Sequence, residues 1–186
     1  TPGIVRYVRP LPGMSFVLYS DLDDATADAT IDEQLAYFRA NDLKFEWKVY
    51  GHDRPTDLVA RLVARGFEAE PRDDIMVLDV ANAPAALLAE PAADVRRLTD
   101  PARLADVQAV LAAVWGEDFS WVHDRLGLAM GIPGYLSVYV AYVDETPACA
   151  GWIYFEKGHF AGLWGGSTLE AYRGQGLYTA LLAARV

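Results

Sequence analysis

The residues most able to do chemistry lie near the end of the chain, where Thr168–Leu182 reads Thr-Leu-Glu-Ala-Tyr-Arg-Gly-Gln-Gly-Leu-Tyr-Thr-Ala-Leu-Leu. An extended-looking run, 159–168, leads into this stretch and good helix formers end it, so a strand should pass through a short turn into a helix. Gly174 and Gly176 fall at the mouth of that helix, where first-turn N–H groups lack partners and the dipole is positive. Because glycine lets a phosphate approach the backbone, the stretch predicts an anion site with Arg173 at its rim.

Two common phosphate-binding loops do not fit this stretch. A Walker loop requires Gly-Lys-Ser/Thr, and no lysine lies between Lys157 and the end of the chain. A dinucleotide fingerprint would place a third small residue three positions after Gly176, where Thr179 stands. The strand-to-helix passage also follows three strand-like runs that look antiparallel, whereas the dinucleotide loop belongs to a first βα unit.

The segment Arg173–Tyr178 resembles motif A of the GCN5-related N-acetyltransferase family, whose pattern is Gln/Arg-x-x-Gly-x-Gly/Ala at the start of a central helix. In that family the loop amides hold the pyrophosphate of acetyl-coenzyme A (acetyl-CoA), and the preceding strand pairs with the pantetheine arm. Tyr178 departs from the pattern because it fills the last Gly/Ala slot; its N–H survives, but its ring must point away from the phosphates. The resemblance implies pyrophosphate contacts at Arg173, Gly174, Gln175, Gly176, Tyr178 and Thr179, and pantetheine contacts at Gly166, Ser167 and Thr168.

The order of elements from Asp94 onwards also matches this family. Apolar residues at helical spacing and a glycine stop define the first helix of this half, and alternation with tight turns defines its strands. The predicted elements are a strand over Val95–Leu98, helices from Pro101 to Gly116 and over Asp118–Met130, strands over Leu136–Val143, Ala148–Phe155 and His159–Thr168 joined by turns at 144–147 and 156–158, and the motif A helix.

Three glycines, Gly162, Gly165 and Gly166, interrupt the third of these strands. Glycine inside a strand often marks a bulge or a place where a ligand approaches the backbone. The family has such a bulge on this strand, where the acetyl carbonyl is bound. Close packing of Trp164 against its neighbours explains the glycines equally well, so both interpretations stay open.

The first 80 residues predict a smaller set of strands and helices. The segment with a strand, a helix ending in Gly-Phe and another strand resembles the second half of an acetyltransferase domain, more loosely than motif A does. We expect strands over Ile4–Arg9 and Ser15–Tyr19 joined by a turn at Pro10–Gly13, a helix capped by Thr30 with Glu33, a strand over Phe45–Tyr50, a helix from Pro55 to Gly66 that buries Leu58, Val59, Leu62 and Val63, and strands over Phe67–Glu70 and Asp74–Val80.

A stretch around residue 90 is poor in large side chains and carries two prolines, which predicts a linker. We therefore expect an N-terminal α/β domain over 1–82, a linker over 83–93, and the N-terminal portion of an acetyltransferase domain over 94–186. The Gly-Phe pattern leads to the hypothesis that the N-terminal domain is a degenerate acetyltransferase half copy, and this question stays open. The fold class is α+β, with a mixed, mostly antiparallel sheet flanked by helices. Because the chain stops inside the motif A helix, we expect the closing strands of a family domain to be absent.

Composition limits the partners and the compartment. A formal charge of −10 and an isoelectric point near 4.6 argue against nucleic acid; they suit a cationic or amine-bearing substrate, or serve only solubility. No apolar run has the length of a bilayer span and no signal peptide is evident, which indicates a soluble, cytoplasmic protein. Three histidines and Cys149 have no metal-ligand spacing, so no metal is expected, and Cys149 should be a buried structural thiol.

No catalytic residue can be assigned from the sequence. Some relatives carry a base in the middle of the third strand, but 161–166 contains no ionisable side chain, and Asp118, His123, Glu156 and His159 are more typical of ordinary exposed residues. Four aromatic residues surround the second helix and could form a wall for an amine: Trp115, Phe119, Trp121 and Tyr135. We expect at least half of them to belong to the hydrophobic core instead.

The resemblance implies an enzyme that transfers an acetyl group from acetyl-CoA to a primary amine on a small molecule or a peptide. The alternative is a non-catalytic module that binds CoA or another protein through the same scaffold, which the missing base and Tyr178 favour. Whether the protein forms a homodimer is left open.

Overall fold

The structure is a computed structural model that describes residues 3–9, 13–155 and 157–186. The chain divides into two compact units, Thr1–Ile75 and Met76–Val186, each with its own sheet. Residues 83–93, the predicted linker, fall within the second unit and include one turn of helix, Ala85–Leu88. Among the described residues, no helix is both long enough and apolar enough to cross a membrane.

The first unit is built on a strand–helix–strand crossover. Parallel strands need such a crossover, and the helix that makes it covers one face of the sheet. Its core holds Phe38 and Phe45 with ring centroids 3.9 Å apart. The elements are β1 (Ile4–Tyr7), antiparallel to β2 (Ser15–Ser20), then α1 (Ala27–Ala40), β3 (Phe45–Trp47), parallel to β2, and α2 (Leu58–Val63).

Arg61 of α2 and Arg65, two residues past its end, hold this helix against α1 through exposed carboxylates. Arg61 lies 2.8 Å from Asp24 and 3.1 Å from Asp28, and Arg65 lies 3.1 Å from Asp28 and 2.7 Å from Asp32. The arginine side chains are largely covered, with 20% and 23% of their surface exposed, while the aspartates are open to water. We call this group of five residues the arginine clamp.

Helix α1 begins at Ala27, so the capping box predicted at Thr30 and Glu33 is wrong. Thr30 lies buried inside the helix. The chain turns earlier because Asp23 Oδ1 accepts from the Thr26 N–H at 2.8 Å and from the Thr26 hydroxyl at 2.7 Å. A short polar side chain that accepts backbone N–H groups in this way favours the start of a helix. Here that side chain is Asp23, which lies upstream of the predicted cap.

Helix α2 begins at Leu58 instead of Pro55 and buries only part of the predicted stripe. Leu58 and Leu62 are buried, whereas Val59 and Val63 are each 47% exposed. A helix of six residues makes fewer than two turns, so its inner face has room for one pair of residues four apart, Leu58 and Leu62, and the next pair along the chain is turned about 100° away. The prediction that all four residues are buried is therefore wrong for the two valines.

The two strands predicted over Phe67–Glu70 and Asp74–Val80 do not form. Ile75, Met76 and Val77 are 74%, 88% and 68% exposed, and within the described residues no strand pairs with either run. Their apolar alternation is typical of a strand, but a strand gains stability only from a neighbour. The pattern alone could not reveal that neither run pairs with a strand in the described part of the chain.

Smaller differences occur at the ends of the first unit's strands. Strand β3 stops at Trp47 because the Tyr50 N–H donates to Asp53 Oδ2 at 2.9 Å and turns the chain. Strand β1 stops at Tyr7, two residues before the predicted end. Most of the predicted turn at Pro10–Gly13 lies outside the described residues.

The second unit has a four-stranded antiparallel sheet in the order β4-β5-β6-β7, which confirms the predicted order of elements. Its elements are a 3₁₀ turn (Val80–Asn82), α3 (Ala85–Leu88), β4 (Asp94–Leu98), a 3₁₀ turn (Pro101–Arg103), α4 (Leu104–Trp115), α5 (Trp121–Met130), β5 (Leu136–Val143), β6 (Thr146–Phe155), β7 (Ala161–Thr168), a 3₁₀ turn (Glu170–Tyr172) and α6 (Leu177–Ala183).

Local signals set these elements as the sequence predicts. Asp100 accepts from the Ala102 N–H at 2.9 Å to start the first helical segment, and Gly116 ends α4 in the left-handed conformation, with φ 69°. Asp144 and Glu145, with φ 47° and 60°, form the two-residue turn between β5 and β6. Glu156, in the other predicted turn, lies outside the described residues.

Helix α5 starts at Trp121, three residues later than predicted. The Asp118 carboxylate accepts from the Ser120 N–H at 2.8 Å and from its hydroxyl at 2.9 Å, which makes a separate turn before the helix. These bonds also lower the pKa of Asp118, the bond from the Ser120 N–H most of all. An aspartate that folds back on the next residues competes with helical pairing, so it delays the helix.

Helices cover both faces of this sheet. Helices α4 and α5 pack on one face through Val107, Leu111 and Leu126, and α6 packs on the other through Leu177 and Leu181. Strand β5 is therefore buried on both sides, which explains its nearly unbroken apolar sequence. The edge strand β7 lies between the C-terminal end of α4 and the N-terminal end of α6, where the candidate site is found.

Candidate functional site

The connection from β7 to α6 is a loop that requires two glycines in the left-handed region. Gly174 has φ 73° and Gly176 has φ 77°, and both face open space. Arg173 Nε donates to the Thr168 carbonyl at 3.2 Å and fastens the loop to the end of the strand. The first bond inside α6 runs from the Ala180 N–H to the Gly176 carbonyl at 2.9 Å, so the three preceding amides have no partner within the helix.

Two adjoining clefts follow this connection and share Thr168 and Arg173. The larger, of ≈ 400 Å³, runs beside the end of β7, and the smaller, of ≈ 270 Å³, surrounds the glycine loop. Every predicted site residue lines one of them except Gln175, whose side-chain amide donates to the Ala171 carbonyl at 3.4 Å. The larger cleft is lined by Val114, Trp115, Gly166, Ser167, Thr168 and Arg173, and the smaller by Thr168, Tyr172, Arg173, Gly174, Gly176, Leu177, Tyr178 and Thr179.

The ring of Tyr178 lies against β7, as its place in the loop requires. A Cβ atom added to Gly166 would stand 2.6 Å from Tyr178 Cε2, so the two residues are in direct contact. The predicted orientation of the ring, away from the loop amides, therefore has a physical basis, because Gly166 has no side chain and leaves space for the ring. This space lies on the stretch of backbone that is predicted to contact the pantetheine arm.

A β-bulge interrupts β7 where three glycines meet. The pairing passes from Ala150↔Ser167 to Trp152↔Trp164, so Gly165 and Gly166 together stand opposite Gly151. Gly165 has φ 66°, and a Cβ there would fall 1.9 Å from the Trp152 ring. Only glycine satisfies both conditions, which confirms the bulge predicted for this strand.

The alternative explanation for the glycines is confirmed at a different position. The Trp164 side chain folds back over Gly162, where an added Cβ would lie 2.8 Å from Trp164 Nε1. Gly162 therefore serves packing, while Gly165 and Gly166 serve the bulge. Sequence reasoning could not divide the three residues between these roles, because the division depends on the register with β6.

Trp115 forms one wall of the larger cleft. It is 62% exposed, and its Nε1–H donates to Ser167 Oγ at 3.0 Å, which fixes the indole in one orientation. Phe119 and Trp121 pack against the core, and the Tyr135 ring lies tilted against the Tyr154 ring with centroids 5.2 Å apart. Most of the predicted aromatic wall is thus core or surface packing, and only Trp115 reaches the cleft.

The ionisable residues considered as bases do not line the clefts. His123 and His159 are exposed elsewhere, the Asp118 carboxylate is engaged by Ser120, and Glu156 lies outside the described residues. Cys149 is buried, as predicted; burial raises the pKa of its thiol, which accepts a bond from the Thr168 hydroxyl at 3.1 Å. Across the described ranges, no group of three or more His, Cys, Asp or Glu side chains is arranged to hold a metal ion.

Comparison with known proteins identifies the fold of the chain. No protein-family profile matches the sequence, and no curated protein matches it either. A GCN5-related N-acetyltransferase from Kribbella flavida superposes with a TM-score of 0.61 at 15% identity, covering 92% of this chain and 64% of that chain. A functionally unknown conserved protein from Staphylococcus epidermidis superposes with a TM-score of 0.63 at 14% identity, covering 92% of this chain and 68% of that chain.

At identities this low the likeness shows the fold and nothing finer. The chain has the mixed α+β fold of the GCN5-related N-acetyltransferases, and it spans 64% of the length of the neighbour that carries that name. The predicted fold class is therefore confirmed. The roles of the individual cleft residues stay predictions.

Proposed function

We propose that the protein is an N-acetyltransferase that moves an acetyl group from acetyl-CoA to a primary amine. The observation that supports this function is the pair of adjoining clefts that share Thr168 and Arg173, one beside the end of β7 and the other around the glycine loop. A donor with a long thioester arm and a pyrophosphate needs a groove of this kind, with polar backbone at one end and a strand at the other.

The pyrophosphate would bind at the glycine loop. Gly174 and Gly176 add no side chain that could obstruct an anion, and the first amides of α6 are free of intrahelical partners. Arg173, whose Nε is already bonded to the Thr168 carbonyl, would present the rest of its guanidinium to the phosphates. The pantetheine arm would run along Gly166–Thr168.

The transfer forms a bond between the acceptor nitrogen and the thioester carbonyl carbon, and it breaks the carbon–sulfur bond, whose electron pair leaves with sulfur. An ammonium group must first lose a proton to expose the lone pair that attacks, and the nitrogen loses a second proton once the new bond has formed; water can carry both protons away, and the sulfur leaves as a thiolate that takes one up. Because the described clefts contain no carboxylate or imidazole, we assign no general base. The chain's part is to hold the donor and orient the thioester.

The acceptor would be an amine on a small molecule or a peptide. An acidic protein, with a formal charge of −10, attracts cationic amines from a distance. Trp115 offers an exposed aromatic face beside the donor path, and such faces bind ammonium groups. The identity of the acceptor is a question for a substrate panel.

A second candidate function is a non-catalytic module that binds CoA or another protein. The contact between Tyr178 and Gly166 favours this alternative, because the ring occupies backbone that the donor arm would use. The lack of an ionisable side chain over 161–166 points the same way. If the purified protein transfers acetyl groups to polyamines, aminoglycosides or lysine peptides, the protein is an enzyme and the non-catalytic alternative is excluded.

Calorimetric titration with acetyl-CoA tests the donor site directly. In Gly176→Glu a carboxylate would face the pyrophosphate, and we expect binding at least about 100-fold weaker, since like charges brought together cost several kcal/mol. Gly134→Glu is a matched control: Gly134 has φ 69°, faces open space as Gly176 does, and lines neither cleft. It should bind like the wild type.

Wild-type protein that does not bind acetyl-CoA would refute the proposal. Equal losses in the two glutamate variants would show that backbone strain, and not the position of the charge, is responsible. Thermal unfolding of both variants checks that each is folded before it is titrated.

A further inference from the structure

Arg185 follows α6 and is almost completely buried, with 5% of its surface exposed. Its guanidinium group binds carbonyl oxygens: Nε donates to Leu181 at 3.1 Å, and Nη1 donates to Trp152 at 3.4 Å and to Trp164 at 3.3 Å. Burial lowers the pKa of Arg185. No carboxylate in the described parts of the chain lies within ion-pair distance of it, although buried arginines are normally paired with one.

The guanidinium sits where the pairing of β6 and β7 slips. Its two strand contacts, the carbonyls of Trp152 and Trp164, belong to the register pair beside the bulge. Gly151 leaves room for it, because a Cβ at that position would lie 2.8 Å from Arg185 Nη1. The sheet is thus shaped around this positive charge.

The Trp164 carbonyl and the Gly165 N–H are the two ends of one peptide group. A cation that donates to the oxygen draws electron density through the peptide bond, and this strengthens the N–H as a hydrogen-bond donor. Gly165 is the left-handed residue of the bulge and directly precedes Gly166 on the cleft wall. The charge of Arg185 therefore acts at the one peptide where β7 departs from regular pairing.

We propose that Arg185 is a positioning residue that polarises the Trp164–Gly165 peptide group, so that the Gly165 N–H stabilises negative charge on the thioester oxygen during acyl transfer. This inference rests on the proposed function. As the amine nitrogen bonds to the carbonyl carbon, the π electrons move onto the oxygen; they return when the carbon–sulfur bond breaks. A donor strengthened at that oxygen lowers the barrier to transfer.

The test is the infrared carbonyl stretch of ¹³C-acetyl-CoA bound to the protein. A polarised thioester carbonyl absorbs at lower frequency, so we expect the carbonyl stretch of acetyl-CoA bound to the wild type to lie at lower frequency than that of free acetyl-CoA. Arg185→Met and Arg185→Gln should lose most of that displacement while their Kd for acetyl-CoA changes less than about threefold. Arg185→Lys, which keeps the charge, should retain part of it. The rate constant kcat should fall about tenfold in the uncharged variants at unchanged KM.

A variant that loosens the fold away from the charge separates this role from a structural one. Val122 is fully buried in α5, on the opposite face of the sheet from α6, and Val122→Ala should destabilise the fold but leave the carbonyl frequency in place. A wild-type complex whose carbonyl absorbs at the frequency of free acetyl-CoA would overturn the inference even if every variant failed to fold. So would a frequency change in Val122→Ala equal to that in the uncharged Arg185 variants. Failure of the wild type to bind acetyl-CoA would refute the proposed function and this inference with it.

Discussion

The indole N–H of Trp115 donates to the hydroxyl oxygen of Ser167 at 3.0 Å, which joins the last residue of α4 to the strand that floors the larger cleft. The two residues are 52 positions apart in the chain. This bond holds a mostly exposed tryptophan in a defined orientation, and an exposed aromatic fixed in this way is typical of a ligand-binding wall.

Replacing Trp115 with phenylalanine tests that wall. The ring remains, but the bond to Ser167 is lost, at a cost of about 0.5 to 1.5 kcal/mol. We expect acetyl-CoA to bind about 2- to 10-fold more weakly. Phe160→Leu is the control, since Phe160 is 74% exposed and lines neither cleft. Calorimetry that finds equal affinities for the two variants would contradict the assignment.

Tyr178→Ala examines the residue that departs from the motif A pattern. Removing the ring clears the backbone at Gly166, so we expect acetyl-CoA to bind more tightly, by about threefold or more. Tyr19→Ala removes a ring that is equally exposed, at 48%, and should leave the affinity unchanged. Weaker binding by Tyr178→Ala would mean that the ring contacts the donor instead of obstructing it.

Gly165→Ala should damage the bulge. The new Cβ would overlap the Trp152 ring and the residue would be held at φ 66°, so we expect a loss of about 2 to 5 kcal/mol in the free energy of unfolding. Gly116→Ala has a similar φ of 69° with open space around it, and should lose only about 1 to 2 kcal/mol. Urea unfolding measures both, and equal losses would rule out the steric conflict.

Stability at acid pH should depend on Arg96, which lies 2.6 Å from Glu145 and also pairs with Asp94. Its bonds lower the pKa of both carboxyl groups. A carboxyl with a lowered folded-state pKa stabilises the fold above its ordinary pKa of about 4, and this contribution disappears as the pH falls through the lowered value. Urea unfolding of Arg96→Gln should therefore show a deficit at pH 7 that shrinks below pH 4. A deficit that is constant with pH would contradict this.

Much of the second unit could be predicted because its signals are local. The sequence predicts a helix from Pro101 to Gly116, and the structure has a 3₁₀ turn from Pro101 followed by α4 from Leu104 up to a stop at Gly116, all within one short stretch. The glycine loop likewise carries its own conformational requirement at Gly174 and Gly176. Such features need no knowledge of distant neighbours, so the order of elements and the main cleft residues follow from the sequence.

The remaining features depend on residues far apart in the chain. Ile75 and Met76 alternate like a strand, yet they lie exposed, since no strand among the described residues pairs with them. Arg185 looks like an ordinary helix-ending arginine, and only the fold reveals that it is buried beside Trp164. Patterns of this kind report what a segment prefers; its partners are set by the tertiary structure.

The arginine clamp makes the packing of α1 against α2 sensitive to ionic strength. Its carboxylates face water, so dissolved ions can screen them, and at physiological salt the screening length is about 8 Å. Leu58 and Leu62 hold the same helix by burial, which salt does not weaken. Helix α2 is therefore held by ion pairs that weaken at high salt and by apolar packing that does not. It should be held most firmly in a buffer of low ionic strength.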